Sequence, residues 1–326
     1  MNKNRNLFLD IIKIIGTVCI LFHHYQQYTS TFFYHGLNFY GGRISFGYVV
    51  EVFFLISGWV MVPYAERIKK GMPFSTFAYR RLAGLLPSLI VSTVLYDVVL
   101  YIYMEIYNGK IMLQDGINVF GSIITALGMG TWGITPNYYI NNVCWYVSVL
   151  ILCYLIMYFL VLLSVKTRIS VFFLLAIPVL AGAIRVHLPI TDTIPFYTVG
   201  LARGYIHFFG GLMLGILFKR IISGTKVIAV STDLKAVSIF RRLIGLVASA
   251  LLDVYLVQLS VLIMFFIASN HLPIRIVSGK TMLLFAVATF GLGIMYHSFI
   301  GRRIHQLLMK RYAQFSEKND ECIQNE

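Results

Sequence analysis

The chain has 326 residues, of which 58% are hydrophobic and only 12% charged, and its mean hydropathy is +0.78. Soluble domains carry about 25% charged residues, so this composition excludes a soluble globular protein and points to an integral membrane one. The net charge of +14 does not indicate a nucleic-acid partner, because Lys and Arg gather in short connectors between apolar runs, as cytoplasmic loops do.

Apolar runs fall at residues 7–26, 47–64, 82–104, 142–164, 169–186, 200–218, 243–268 and 281–300. Each approaches the roughly 20 residues that cross a bilayer. None alternates with the two-residue period of a strand, so the predicted fold is all-α, a polytopic membrane helical bundle with eight spans. Two weaker stretches, 117–131 and 187–199, are expected to be half-helices, re-entrant segments or a further pair of spans. Gly121, Gly128 and Gly130 make the first a poor full helix.

The basic connectors hold Lys3 and Arg5, then Arg67, Lys69, Lys70, Arg80 and Arg81, then Lys166 and Arg168. Others run from Lys219 to Arg242 and from Arg302 to Arg311. Placing them in the cytoplasm puts both termini there, in a multi-pass protein of the cell membrane. The basic start and apolar run lack a small-residue cleavage site, so the first span is expected to stay attached. Segments 27–46 and 131–142, rich in Tyr, Asn, Gly and Thr, are expected outside, as surfaces suited to carbohydrate or to the membrane interface. Residues 1–312 form a single predicted domain, and 313–326 a polar tail expected to fray. The four cysteines make no disulfide framework, and no metal-ligand spacing occurs.

The first span, "LDIIKIIGTVCILFHH", carries Asp10, Lys13, His23 and His24. On a helix Lys13 and His24 project within about 20° of each other. Asn6 and Thr17 share their stripe and Asp10 lies at its edge, while Ile11, Ile12, Ile14, Ile15, Val18 and Leu21 fill the other faces. A charged residue at a span's centre costs about 2.5–3.5 kcal/mol, so a polar stripe is expected to face a bundle interior. The second span holds Glu51 early, with Ser57, Gly58 and Trp59 later. Glu51 and Gly58 share a face, where the glycine admits a helix or an elongated ligand. Arg80 and Arg81 are expected at the N-terminus of the third span, a poor position for cations unless they hold an anion such as phosphate.

Together these stretches resemble the acyltransferase-3 family of integral-membrane acyltransferases. Leu9, Asp10, Lys13 and His24 match its N-terminal signature. Phe53, Phe54, Ser57, Gly58 and Trp59 resemble its double-phenylalanine, serine–glycine–aromatic run, and Arg80, Arg81 and Pro87 its arginine-rich stretch. Trp145 and Tyr154 resemble its tryptophan-led span, and "LLDVYLVQLSV" a late tyrosine–leucine–x–histidine span. Three positions depart from that pattern: Gly84 stands where many members have arginine, Leu150 replaces an acid, and Gln258 replaces the late histidine.

The resemblance implies ten helices and transfer of an acyl group, typically acetyl from acetyl-CoA, to a hydroxyl of an envelope or exported carbohydrate. His24 is the expected general base, with Lys13 and Asp10 beside it in the catalytic set. Arg80, Arg81, Ser57 and Gly58 are expected to bind the acyl-CoA, whose pantetheine arm would bridge the ~16 Å between Lys13 and His24. Arg203, His207 and Asp253 could line the acceptor path or pair within the bundle, and Glu51 and Trp145 are further second-tier candidates. The expected partners are acyl-CoA, a glycan and the bilayer, with no nucleic acid and no metal. A multi-span transporter for an envelope precursor is the alternative, although no internal repeat relates the halves of the chain.

Overall fold

The computed structural model describes residues 6–31, 38–43, 46–107, 117–134, 141–188, 194–222 and 235–324. These residues form helices and no strand. The side of the bundle where the first helix begins is called lower here, and the side where it ends upper.

α1 (Leu7–Thr29) rises from a cap in which the Asn6 side chain accepts from the amides of Phe8 and Leu9 at 3.0 and 3.4 Å. It ends at Ser30, a left-handed residue whose N–H returns to the Gln26 carbonyl. A 3-10 turn, Phe46–Tyr48, leads into α2 (Val49–Trp59), which descends into the short α3 (Val62–Lys69). α4 (Phe74–Leu82) follows Pro73 on the lower side, and α5 (Leu86–Tyr107) rises. α6 (Val119–Ala126) is short, α7 (Trp145–Thr167) descends and α8 (Val171–His187) rises. α9 (Val199–Ile222) descends, α10 (Lys235–His271) rises and α11 (Gly279–Tyr296) descends. A π turn, His297–Gly301, then leads to α12 (Arg302–Gln324).

Among the described residues, seven helical stretches are long and apolar enough to cross a membrane, and α8 adds a shorter apolar helix of 17 residues. All eight expected spans therefore have a helix. α8 extends only ~26 Å at 1.5 Å per residue, short of the ~30 Å hydrocarbon core. Of the weaker stretches, 117–131 yields the eight-residue α6, stopped by Gly128 at φ +73°. The described part of 187–199 holds no helix beyond the ends of α8 and α9. Contrary to expectation, the polar stretch after Tyr312 continues as helix to Gln324, being rich in good helix formers such as Gln, Glu and Lys.

α7 and α10 form the centre, with 67% and 72% of their apolar windows buried, against 28% for α1. An apolar residue on every face of α7 suits that place. α2 and α9 touch through backbone: a Cβ on Gly58 would collide with the Phe208 carbonyl, and one on Gly211 with the Leu55 carbonyl. Small residues permit such approaches between membrane helices. This contact sets where Glu51 and Ser57 point. On the lower side α12 lies against α4, with Tyr79 Oη donating to the Leu308 carbonyl at 2.7 Å and stacked on Tyr312.

Candidate active site

α1, α2, α7 and α10 surround a cavity of about 230 Å³. Lys13 and Thr17 reach it from α1, Phe53 and Ser57 from α2, Tyr146 and Leu150 from α7, and Leu251, Leu252 and Tyr255 from α10. The polar stripe therefore faces the bundle interior, as the cost of charge in lipid requires. The Thr17 hydroxyl is turned back onto the Lys13 carbonyl at 2.9 Å. Asp10 is buried in the first turn, only 6% exposed.

Ser57 Oγ and Tyr146 Oη lie 3.0 Å apart, and the Tyr146 ring packs on Phe54 and edge-on to Tyr255. The Tyr255 hydroxyl is buried and meets no hydrogen-bond partner among the described residues. A buried donor without an acceptor costs about 1–3 kcal/mol, so its place beside a cavity invites a ligand. Leu150, where the family pattern has an acid, is an apolar wall of this cavity.

His24 stands about two turns above Thr17, at the junction of α1 and α10. Its Nδ1 lies 2.9 Å from Gln258 Oε1, and Gln258 Nε2 donates to the Tyr255 carbonyl at 2.7 Å. The chemistry of these three groups fixes the proton positions. A carbonyl only accepts, so the amide nitrogen of Gln258 must face Tyr255 and its oxygen must face His24. That oxygen also only accepts, so Nδ1 carries the proton and Nε2 keeps its lone pair. His23 points elsewhere: its Nδ1 lies 2.8 Å from the Phe39 carbonyl and its ring stands between His24 and Tyr40. Gln26 Oε1 accepts from the amides of Phe39 and Tyr40 at 2.6 and 3.0 Å. The upper loop at 38–43 is thus strapped beside His24 by its own helix.

The remaining upper candidates form one cluster. Arg203 Nε donates to Glu51 Oε1 at 2.6 Å, and Arg203 Nη2 to the Gly47 carbonyl at 3.2 Å. The guanidinium lies 4.8 Å from the Trp145 ring centroid and 5.8 Å from that of Tyr48. His207 Nδ1 reaches the Arg203 carbonyl at 2.8 Å, so by the same logic it is the protonated nitrogen. Glu51 Oε2 is buried without a partner among the described residues. α2, α7 and α9 thus bring Glu51, Trp145, Arg203 and His207 to one place. Sequence spacing could not join residues so far apart in the chain.

The arginine pair departs from expectation. Arg80 and Arg81 lie in the last turn of α4, ahead of a break at 83–85, and not at a helix N-terminus. Cations suit a helix C-terminus, so position alone no longer calls for an anion. The two also part company. Arg80 is exposed, while Arg81 turns inward over the Tyr64 ring at 3.9 Å, with Tyr154 at 5.9 Å. Arg81 bonds the Tyr64 hydroxyl, and its Nε is buried without a partner among the described residues. Ser57 faces the cavity, whereas Gly58 faces α9.

Sequence reasoning missed Gln258, Tyr255 and Tyr146. Gln258 registered only as a departure from a family pattern, although an amide within an apolar span is costly without partners. Asp253 also interrupts that span, but it turns toward the π turn after α11, where its Oδ2 lies 2.8 Å from His297 Nδ1.

No curated protein and no solved structure matches the chain. The sequence model of the family described as Acyltransferase domain matches residues 6–316, nearly the whole chain and every element of this site. The chain belongs to that family, the acyltransferase-3 family, and is a multi-span membrane acyltransferase.

Proposed function

We propose that the protein transfers an acyl group, most simply acetyl, from acyl-CoA to a hydroxyl of an envelope or exported carbohydrate, with His24 as general base. The observation that carries this reading is the hydrogen-bond chain from Tyr255 O through Gln258 to His24 Nδ1, which leaves Nε2 as a proton acceptor. In the proposed reaction Nε2 takes the proton of the acceptor hydroxyl as its oxygen attacks the thioester carbonyl. The C–S bond then breaks, the ester forms, and the imidazolium returns the proton to the CoA thiolate. The Tyr255 hydroxyl is assigned to hydrogen-bond the carbonyl oxygen as charge develops on it.

Lys13, at the lower end of the cavity, is assigned to the entering CoA arm, and Asp10 to the charge balance around it. Arg81 and Ser57 are candidates for holding that arm further along, with Gly58 shaping the α2 wall behind Ser57. Arg80, exposed on the lower side, is a candidate for the CoA phosphates. The upper cluster of Glu51, Trp145, Arg203 and His207 is assigned to the acceptor, because an aromatic face beside charged donors suits a hydroxyl-rich ring. Described basic residues crowd the lower side, at Arg67, Lys69, Lys70, Lys166, Arg168, Lys219 and Arg220. That asymmetry supports a cytoplasmic lower side in the cell membrane.

The test is acetyl transfer in membrane vesicles. Acetyl-CoA labelled in its acetyl group is supplied, and free CoA and labelled glycan are both followed. Label appearing in glycan in step with CoA release supports the reading. CoA-independent movement of glycan across the membrane, with no label incorporated, overturns it.

A further inference from the structure

α3 and α9 meet where Gly215 leaves no room for a side chain. A Cβ there would press on Val62 Cγ2 at 2.7 Å and on Trp59 Cα at 3.4 Å. Below this contact the two helices frame a cleft of about 240 Å³, separate from the acyl-transfer cavity. Its floor is apolar, with Val62 and Ala65 buried, and its walls carry Lys69, Lys219, Arg220 and, among the described residues, one acid, Glu66. Lys219 Nζ pairs with Glu66 Oε1, but both side chains stay solvated, at 58% and 46% exposed. Such a pair contributes little and exchanges partners readily.

A second observation lies on the same helix. Leu214, Leu217, Phe218 and Ile221 are exposed and follow the i, i+3, i+4, i+7 spacing of one helix face. In a bilayer this stripe faces acyl chains, and it runs down beside the cationic cleft. A soluble phosphate would use the cations and leave the stripe idle. A ligand that uses both has an anionic head and apolar tails.

We propose that this cleft holds the phosphate headgroup of an anionic membrane phospholipid, with its chains along Leu214, Leu217, Phe218 and Ile221. The proposal does not depend on which acyl donor or acceptor the enzyme uses. It gives α3 a lipid-dependent anchor, and α3 carries Tyr64, the residue bonded to Arg81.

The experiment is native mass spectrometry of the full-length protein exchanged between phosphatidylglycerol and phosphatidylcholine. The wild type is compared with the Lys69→Gln/Lys219→Gln double variant and with Glu66→Gln. The wild type is expected to retain phosphatidylglycerol preferentially. The double variant should lose about 25-fold in apparent affinity, about fivefold for each cation removed. Glu66→Gln, which removes the opposing charge, should retain the lipid more tightly, and it decides the matter should the double variant fail to fold. Equal retention of both lipids by the wild type would overturn the proposal, as would a folded double variant with unchanged preference. Complete displacement by millimolar inorganic phosphate would assign the cleft to a soluble phosphate and overturn the lipid assignment.

Discussion

Gln258 makes His24 more than a histidine in a membrane. The amide is neutral, so it sets the tautomer of the imidazole without the full charge stabilisation that a carboxylate would give an imidazolium. Replacing Gln258 by Leu frees the ring and strands its Nδ1–H. Acyl transfer is expected to fall by about 5- to 150-fold, the kinetic equivalent of about 1–3 kcal/mol, with the KM for acyl-CoA little changed. Gln258→Glu keeps the acceptor for Nδ1 but loses the N–H that Gln258 gives the Tyr255 carbonyl, so its activity should lie between those of Gln258→Leu and the wild type. Equal losses in the two variants would separate the Gln258 oxygen from the base. Tyr255→Phe removes one hydroxyl that has no partner among the described residues. Its stability should therefore hold or rise, while kcat falls. A loss of stability without a loss of kcat would assign the hydroxyl to packing.

At the scale of elements, the α2–α9 contact positions both the cavity and the upper cluster. Gly58→Ala sets a methyl against the Phe208 carbonyl, a backbone atom that cannot step aside. The expected cost is about 1–3 kcal/mol, read as a lower Tm in detergent. Gly84→Ala is the control, since its Cβ would meet only the Arg81 carbonyl at an ordinary 3.6 Å, and its Tm should not fall. Glu51→Ala strands Arg203 in the bundle. The expected loss lies at the lower end of about 3–5 kcal/mol, because the Arg203 side chain keeps 28% of its surface exposed. Glu51→Gln, which keeps the shape, should recover part of it. The helices themselves were legible in the sequence because apolar run length is dictated by the bilayer. Their internal breaks were not. The interruption at 83–85, which reverses the helix end on which Arg80 and Arg81 sit, lies inside a run that hydropathy reads as continuous. Likewise the helical stretch 313–324 has the polarity of a tail but the propensity of a helix.

Over the whole molecule, the candidate site was legible mainly along α1, with Ser57 on α2 the other foreseen residue that lines the cavity. One helix presents Lys13, Thr17 and His24 on one face by spacing alone, and the structure turns Lys13 and Thr17 to the shared cavity. Everything that completes the site crosses between distant helices. Gln258 lies on α10, Tyr146 on α7, and the Glu51–Arg203 pair joins α2 to α9. No local pattern encodes those meetings, and reading Gln258 as a missing histidine hid its use as a partner. The vertical order that emerges has Lys13 low, the Ser57–Tyr146 pair and Tyr255 in the middle, and His24 above. Such an order suits a donor entering from one side and an acceptor arriving from the other. Single cysteines at Arg67 and Arg43 test the orientation, since they lie on opposite sides of the bundle. In intact cells an impermeant thiol reagent is expected to label Arg43→Cys and spare Arg67→Cys, each in a background lacking native thiols.

In the proposed reaction His24 removes the acceptor's proton. The most direct measurement is the single-turnover rate of acetyl transfer from labelled acetyl-CoA by His24→Gln, compared with wild type at equal amounts of folded protein. Glutamine can still hydrogen-bond but cannot accept a proton at neutral pH. A rate lower by about 10²–10⁴-fold, with acetyl-CoA binding retained, is the expected result. A rate within twofold of wild type would contradict the account and remove His24 from the chemistry.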